Sequence, residues 1–455
     1  MELMVHNIFR HQLIILGNGF DLACGLKSEF CAFFTPRVNS ICALAQEGSR
    51  EWALSCSEAG YTAWDLILRF RKDLVNKGYN VNWSDVEAAI SDVVEVPAPE
   101  SVSSHDPFIP DEESITVKSI LSYFDFLDRY VGVESPCQFC ADFEEQAERN
   151  HEEINGEFKL AFKGRIPDGG IVEACKHLID EGVCINPDCY DYLEIARDEC
   201  PNKSSEIVAK YLECIYPEIQ KWNTGVVRKA LLSELHKLEE AFGDYLETEL
   251  ASNSNYDANA LNLLKAILSF DENELMVERA ETTILSFNYT TPSIPGNIIL
   301  GLPQRINVHG SLGSVLIFGA DGTNCSSDSN ALRFSKTYRV LEQKESSLTG
   351  PIAYAPNSGG LGSKETVAIK VYGHSLAQAD YSYFQSIFDI VDLYSGRVKL
   401  YFLYREFKPE AREELLLSVA NLLNAYGTSM DNRNHGKNLM HKLLLEGRLV
   451  LQRID

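Results

Sequence analysis

The segment Leu13-Ile14-Ile15-Leu16 runs directly into Gly17-Asn18-Gly19-Phe20-Asp21-Leu22, an apolar tetrad followed by a Gly-x-Gly turn and a helix-compatible stretch. Strand, tight turn and helix in this order can bring backbone N–H groups to a ligand, because glycine tolerates positive φ and close approach and a helix start adds a positive dipole end. The chemistry this suggests is anion binding, with a phosphate-bearing nucleotide as natural occupant. Leu22 stands where the full dinucleotide fingerprint has a third glycine or alanine, and no clear acidic match follows about twenty residues later. A glycine turn without a ligand is the alternative.

Four more segments end in hydrogen-bonding residues. The run 282–287 leads to Asn288-Tyr289-Thr290, 305–308 to His309-Gly310-Ser311, 314–318 to Gly319-Ala320-Asp321, and 366–372 to Gly373-His374-Ser375-Leu376, with Asp380 shortly after. Singly, Asn288 can cap a turn, His309 can satisfy a buried carbonyl, Ser375 can cap the next helix and Asp21 can be a first-turn carboxylate. Five such turns on one rim favour a ligand, since open α/β sheets bind beyond the carboxyl ends of their strands.

A rim of that kind needs a parallel sheet. After the first strand the stretch 36–275 reads mainly as helix. The β signal returns in short runs rich in β-branched and aromatic residues at 282–287, 305–309, 314–318, 366–372 and 398–403. Several are nearly continuous apolar runs, the pattern of strands covered on both faces. This predicts an α/β fold, a parallel sheet domain interrupted by a large, mainly helical insertion. Residues 1–35 hold the first strand, glycine loop and helix, 36–275 the insertion, 276–405 the rest of the sheet domain, and 406–455 C-terminal helices. Leu231, Leu235, Leu238, Phe242, Tyr245 and Leu246 share a helical stripe, with His236 beside it at the surface. Asn82 or Ser84 caps a helix with Val86 and Ile90 inward, on which Asp85 and Glu87 either close over the cleft or form a solvated face. Four prolines mark 94–115 as a linker or exposed loop, and 409–423 opens on proline as another helix start.

The 455 residues suffice for two or three domains, and their formal net charge of −25 repels phosphate backbones. Stable nucleic-acid binding is therefore not expected, while a small anion held by backbone amides stays compatible. No apolar run reaches membrane-span length and residues 1–12 lack a signal-peptide core, so a cytoplasmic protein is expected. The twelve cysteines then read as reduced thiols. Cys137, Cys140, Cys184 and Cys189 could make a zinc site, with Cys175, His177 and Cys200 as alternates, but their spacing is looser than a zinc ribbon's and no metal is expected.

Residues 17–22 with Gly25-Leu26, then 82–87, 286–290, 308–310 and 373–376 with Asp380, resemble in this order the motifs of the AbiH family of bacterial abortive-infection proteins. That family in turn resembles the sirtuin-like NAD-binding fold. The resemblance implies a Rossmann-like, sirtuin-like domain acting in phage defence by hydrolysing NAD at the nicotinamide–ribose bond, with NAD as substrate and no further cofactor. It implies Asn288, His309 and Asp21 as catalytic. Asn288 would orient the ribose or the attacking water, His309 would accept a proton from a ribose hydroxyl or water, and Asp21 would hold the loop or lie near the ribose. Gly17, Asn18 and Gly19 would hold the pyrophosphate, with Phe20, Gly310, Gly373, Ser375 and Asp380 completing the nucleotide site. A phage-derived trigger and a homo-oligomer are the implied partners. The insertion, as the place for a switch, is expected to cover the cleft or form the oligomer contact. Two alternatives stay open: a nuclease or nucleotide hydrolase binding Mg²⁺ through Asp21, Asp321 and Asp380, and a non-catalytic nucleotide sensor.

Overall fold

The computed structural model describes residues 9–44, 47–76, 78–94, 115–130, 203–216, 223–270, 281–293, 304–320, 329–343, 364–407, 409–429 and 438–454. The cysteine set at 137, 140, 184 and 189, Asp321 and the prolines of the 94–115 segment lie outside the described residues.

Strand β1 (Phe9–Leu16) is followed by helices α1 (Gly19–Ala23), α2 (Phe30–Cys42), α3 (Arg50–Glu58), α4 (Ala63–Phe70), α5 (Lys72–Asn76), α6 (Trp83–Val94), α7 (Val117–Tyr130), α8 (Lys203–Ile215), α9 (Thr224–Ser252) and α10 (Tyr256–Ser269). Then come β2 (Glu281–Ser286), β3 (Gln304–Asn307), α11 (Ser329–Leu332), α12 (Lys336–Gln343) and β4 (Lys364–Tyr372). Helix α13 (Tyr381–Ile390), β5 (Lys399–Tyr404), α14 (Ala411–Ser429), α15 (Leu439–Leu445) and β6 (Leu449–Arg453) complete the order. The six strands form one all-parallel sheet in the order β3-β2-β1-β4-β5-β6. The chain winds outward from β1 through β2 and β3, then returns to the other side of β1 for β4 to β6. The crevice beyond β1 and β4 is where such a sheet takes a ligand.

Alternation along the strands divides the core. Leu13 and Ile15 pack with Ile369, Val371, Leu400 and Phe402 on the face covered by α13, α14 and α15. Ile14 and Leu16 pack on the other face with Ala368, Tyr372 and the helices between β1 and β2. Those helices thus share one core with the sheet. The stripe on α9 is as the spacing predicts, with Leu231, Leu235, Leu238, Phe242 and Leu246 buried, Tyr245 half-buried and His236 exposed. Lys370, wholly buried on β4, donates to the carbonyls of Ile267, Leu268 and Phe270 at 3.0, 2.8 and 2.7 Å, and so ties the end of α10 to the sheet.

Two expectations need correction. Residues 314–318 form no strand: their apolar side chains are buried from Leu316 on, but the Phe318 N–H donates to Glu239 at 2.6 Å and its carbonyl accepts from Arg339 at 2.5 Å. Side chains satisfy the backbone groups that a ladder would otherwise take. The C-terminal stretch, expected to be helical throughout, instead supplies β6, paired with β5 from Leu400↔Leu449 to Tyr404↔Arg453.

Candidate functional site

The turns after β1, β2, β3 and β4 meet around a cleft of about 400 Å³. Gly17, Asn18, Gly19, Asp21, Asn288, His309, Gly373, Ser375 and Asp380 all line it, whereas Gly319 and Ala320 of the fifth expected turn do not. Phe20 and Gly310 do not belong to this lining. Phe20 is wholly buried behind the loop, edge-on to Tyr372, and Gly310, at φ 85°, passes so close to the Val315 carbonyl that a Cβ would lie 1.9 Å from its oxygen.

The glycine loop departs from the expected phosphate cradle. Neither Gly17 nor Gly19 has positive φ; they are glycines because the β4 turn crosses them, and a Cβ would meet His374 Cα at 2.4 Å from Gly17 or Gly373 Cα at 2.7 Å from Gly19. Their N–H groups donate to Tyr372 and Gly373 carbonyls at 3.0 and 2.7 Å, and the Phe20 N–H to Gly17 at 2.9 Å. All three donors are thereby engaged within the protein. Positive φ belongs to the partner turn, at Gly373 with φ 69° and Leu376 with φ 59°. The Asn18 carboxamide accepts from the Ser28 hydroxyl at 2.5 Å, leaving its amide end for the cleft.

Asn288 is fixed by its backbone. Its N–H donates to Ser286 Oγ at 3.3 Å and its carbonyl accepts from Asn307 Nδ2 at 2.9 Å. The residue is 4% exposed, yet among the described residues neither Oδ1 nor Nδ2 has a hydrogen-bond partner. A buried carboxamide open at both ends is costly without a ligand or water to satisfy it. Asp21 differs: Tyr256 donates to Oδ1 at 2.8 Å and Thr290 to Oδ2 at 2.6 Å. Burial raises its pKa, opposed by those two hydrogen bonds, by Arg305 and by the neighbouring Asn288 side chain. Both oxygens are engaged, so Asp21 joins the glycine loop to α10 and the β2 turn.

A charged cluster forms the other wall. Lys336, the first residue of α12, is buried and donates to Asp380 Oδ1 at 2.8 Å and to Glu87 of α6. Asp380 in turn lies 3.5 Å from the Nε2 atoms of both His309 and His374. Burial would raise the Asp380 carboxyl, but the Lys336 ammonium and the two imidazoles hold it down at about 2. Burial, reinforced by Lys336 and opposed by Asp380, pushes His309 down to about 3 and His374 to about 4. Phe287 contributes to that dry setting, its ring 4.4 Å from the His374 ring and 5.4 Å from that of His309. His374 Nδ1 accepts from the Leu376 N–H at 2.9 Å, which places the imidazole proton on Nε2, toward Asp380. His309 Nε2 has no hydrogen-bond partner among the described residues.

Lys336 escapes the sequence reading, which places His374 on the rim without giving it a role, and the acid pair on α6 separates. Asp85 exchanges hydrogen bonds with Asn82 at 3.0 Å and caps the helix, whereas Glu87 reaches the cleft. The Lys336 position follows from the segment mistaken for a strand: Lys336 N–H donates to Ala320 at 3.0 Å, and Arg339 one turn on pairs with Glu239 of α9 at 2.7 Å. Among the described residues no group of three or more His, Cys, Asp or Glu is arranged to hold a metal ion, and no helix is long and apolar enough to cross a membrane. No protein-family profile matches the chain, and no curated protein or solved structure is significantly similar to it.

Proposed function

We propose that this chain is an enzyme that takes an NAD-class nucleotide into the rim cleft and hydrolyses its nicotinamide–ribose bond, as a cytoplasmic effector of defence against phage. The observation that carries the reading is the Asn288 carboxamide, buried and open at both ends beside His309 and Asp380. The strand order is that of Rossmann-like dinucleotide-binding sheets, and the order of the motifs resembles that of the AbiH and sirtuin-like proteins. Cleavage sends the bond electrons to nicotinamide, which leaves neutral, and positive charge builds on the ribose. Asp380, ionised at neutral pH, stabilises that charge. Asn288 orients a ribose hydroxyl or the attacking water, whose oxygen bonds to the sugar carbon while His309 takes its proton. The imidazolium so formed is stabilised by Asp380 at 3.5 Å.

One observation favours a second reading, binding without turnover: an imidazole held at about 3 is far from the pKa of an effective base near pH 7. The magnesium reading gains no support, since Asp21 and Asp380 are each held by protein donors and Asp321 lies outside the described residues. Incubating purified protein with NAD and measuring free nicotinamide, with and without EDTA, tests all three. Release that survives EDTA supports hydrolysis. NAD binding without release supports the sensor, and activity on nucleotides or nucleic acid that EDTA abolishes supports the metal enzyme.

A further inference from the structure

The groups facing the cleft are unequal in what they can recognise. Among the described residues its Asp, Glu, Lys and Arg lining consists of Asp21, Glu87, Asp380 and Lys336, and the Lys336 ammonium is already met by two carboxylates. The N–H groups of Gly17, Gly19 and Phe20 are engaged by main-chain carbonyls, and α1 is only five residues long. Nothing in this set repays a phosphate for its lost hydration, and the two carboxylates repel it. Among the described residues that line the cleft, the buried groups left without a hydrogen-bond partner are His309 Nε2 and the Asn288 carboxamide, which offers a donor and an acceptor; the Asn18 amide end adds one neutral donor, too little to repay a phosphate. A hydroxyl both donates and accepts, so an adjacent pair of hydroxyls can satisfy both ends of the carboxamide; phosphate oxygens, acceptors at neutral pH, leave Asn288 Oδ1 orphaned. Carboxylates are also the groups that select a ribose with free hydroxyls over a phosphorylated one.

We infer that the cleft between Asn288, His309, Asp380 and Glu87 is a ribosyl site that recognises its ligand through free ring hydroxyls, and that the ligand's phosphates stay outside it. This rests on the proposed reading and deepens it: binding energy comes from the nucleoside end, and the glycine loop shapes the floor without cradling pyrophosphate. The site then accepts N-ribosides that carry no phosphate at all.

The test is a calorimetric titration of the wild-type protein with carbocyclic nicotinamide riboside and carbocyclic NAD, whose sugar–base bond resists cleavage, and with inorganic pyrophosphate as competitor. The expected result is an affinity for the riboside within tenfold of that for the dinucleotide, with no displacement by millimolar pyrophosphate. A riboside more than tenfold weaker than the dinucleotide, or displacement by pyrophosphate, overturns the inference and leaves the NAD reading in place. Failure of both carbocyclic ligands to bind overturns the NAD reading, and the inference with it.

Discussion

At the residue scale, Asn288 and Asp21 are distinguished by what satisfies them. Removing a polar side chain that has no hydrogen-bond partner among the described residues leaves none of them orphaned, so Asn288→Ala changes stability by less than about 1 kcal/mol while nicotinamide release falls by roughly 10²-fold or more. Asp21→Ala leaves the Tyr256 and Thr290 hydroxyls bonded only to each other, at 2.9 Å, with one buried donor unmet, and costs about 1–3 kcal/mol. Denaturant titration beside a nicotinamide assay separates the two. An Asp21→Ala protein of wild-type stability that has lost activity would return that carboxylate to the chemistry, and an unstable Asn288→Ala protein would make the carboxamide structural.

At the scale of elements, the β1 and β4 turns must interlock before a site exists. Gly17→Ala drives a Cβ to 2.4 Å from His374 Cα, a backbone atom that cannot move aside, and overpacking of that kind costs about 1–3 kcal/mol or more. Wild-type melting of Gly17→Ala would show that the β4 turn is free to yield. Lys370→Met removes three donors from the end of α10 and costs about 2–4 kcal/mol, with faster amide exchange concentrated in the last turn of α10 as its signature. Uniform exchange along α10 in that variant would deny Lys370 its capping role. The rim was legible in the sequence because apolar runs ending in glycine and polar residues report parallel strands locally. The same local signal misled at 314–318, where burial is real but Glu239 and Arg339 take the place of a neighbouring strand. It missed β6, whose Leu449-Val450-Leu451-Gln452-Arg453 is short and follows a leucine-rich helix. Lys336 was hidden for a different reason: a lysine at a helix start looks solvated until Glu87 and Asp380, far away in sequence, enclose it.

At the scale of the whole molecule, the helices between β1 and β2 and the sheet are bound by a shared core and by the buried Glu87–Lys336–Asp380 bridge, so the charge state of the cleft becomes a property of global stability. His309 and His374 have folded pKa values of about 3 and 4, below the ordinary 6.5. The unfolded chain therefore binds protons at these two sites over a range in which the folded protein does not. Their contribution is fully present above about pH 6.5 and is lost as pH falls toward 4 and then 3, by about 1.4 kcal/mol per pH unit for each histidine. Asp380, held at about 2, adds stability that is present above its ordinary value of 3.8 and lost only below it, so it does not contribute to the slope between pH 6.5 and 4. Urea unfolding at half-unit pH steps across that interval should show a steady decline in wild-type protein. His309→Gln, which removes one of these titrating groups, should decline less steeply than wild type. Because the raised carboxyls of Asp21 and Glu239 give a slope of opposite sign, the comparison with the variant is decisive: equal slopes in the two proteins would mean that His309 titrates normally and that the cleft is wet.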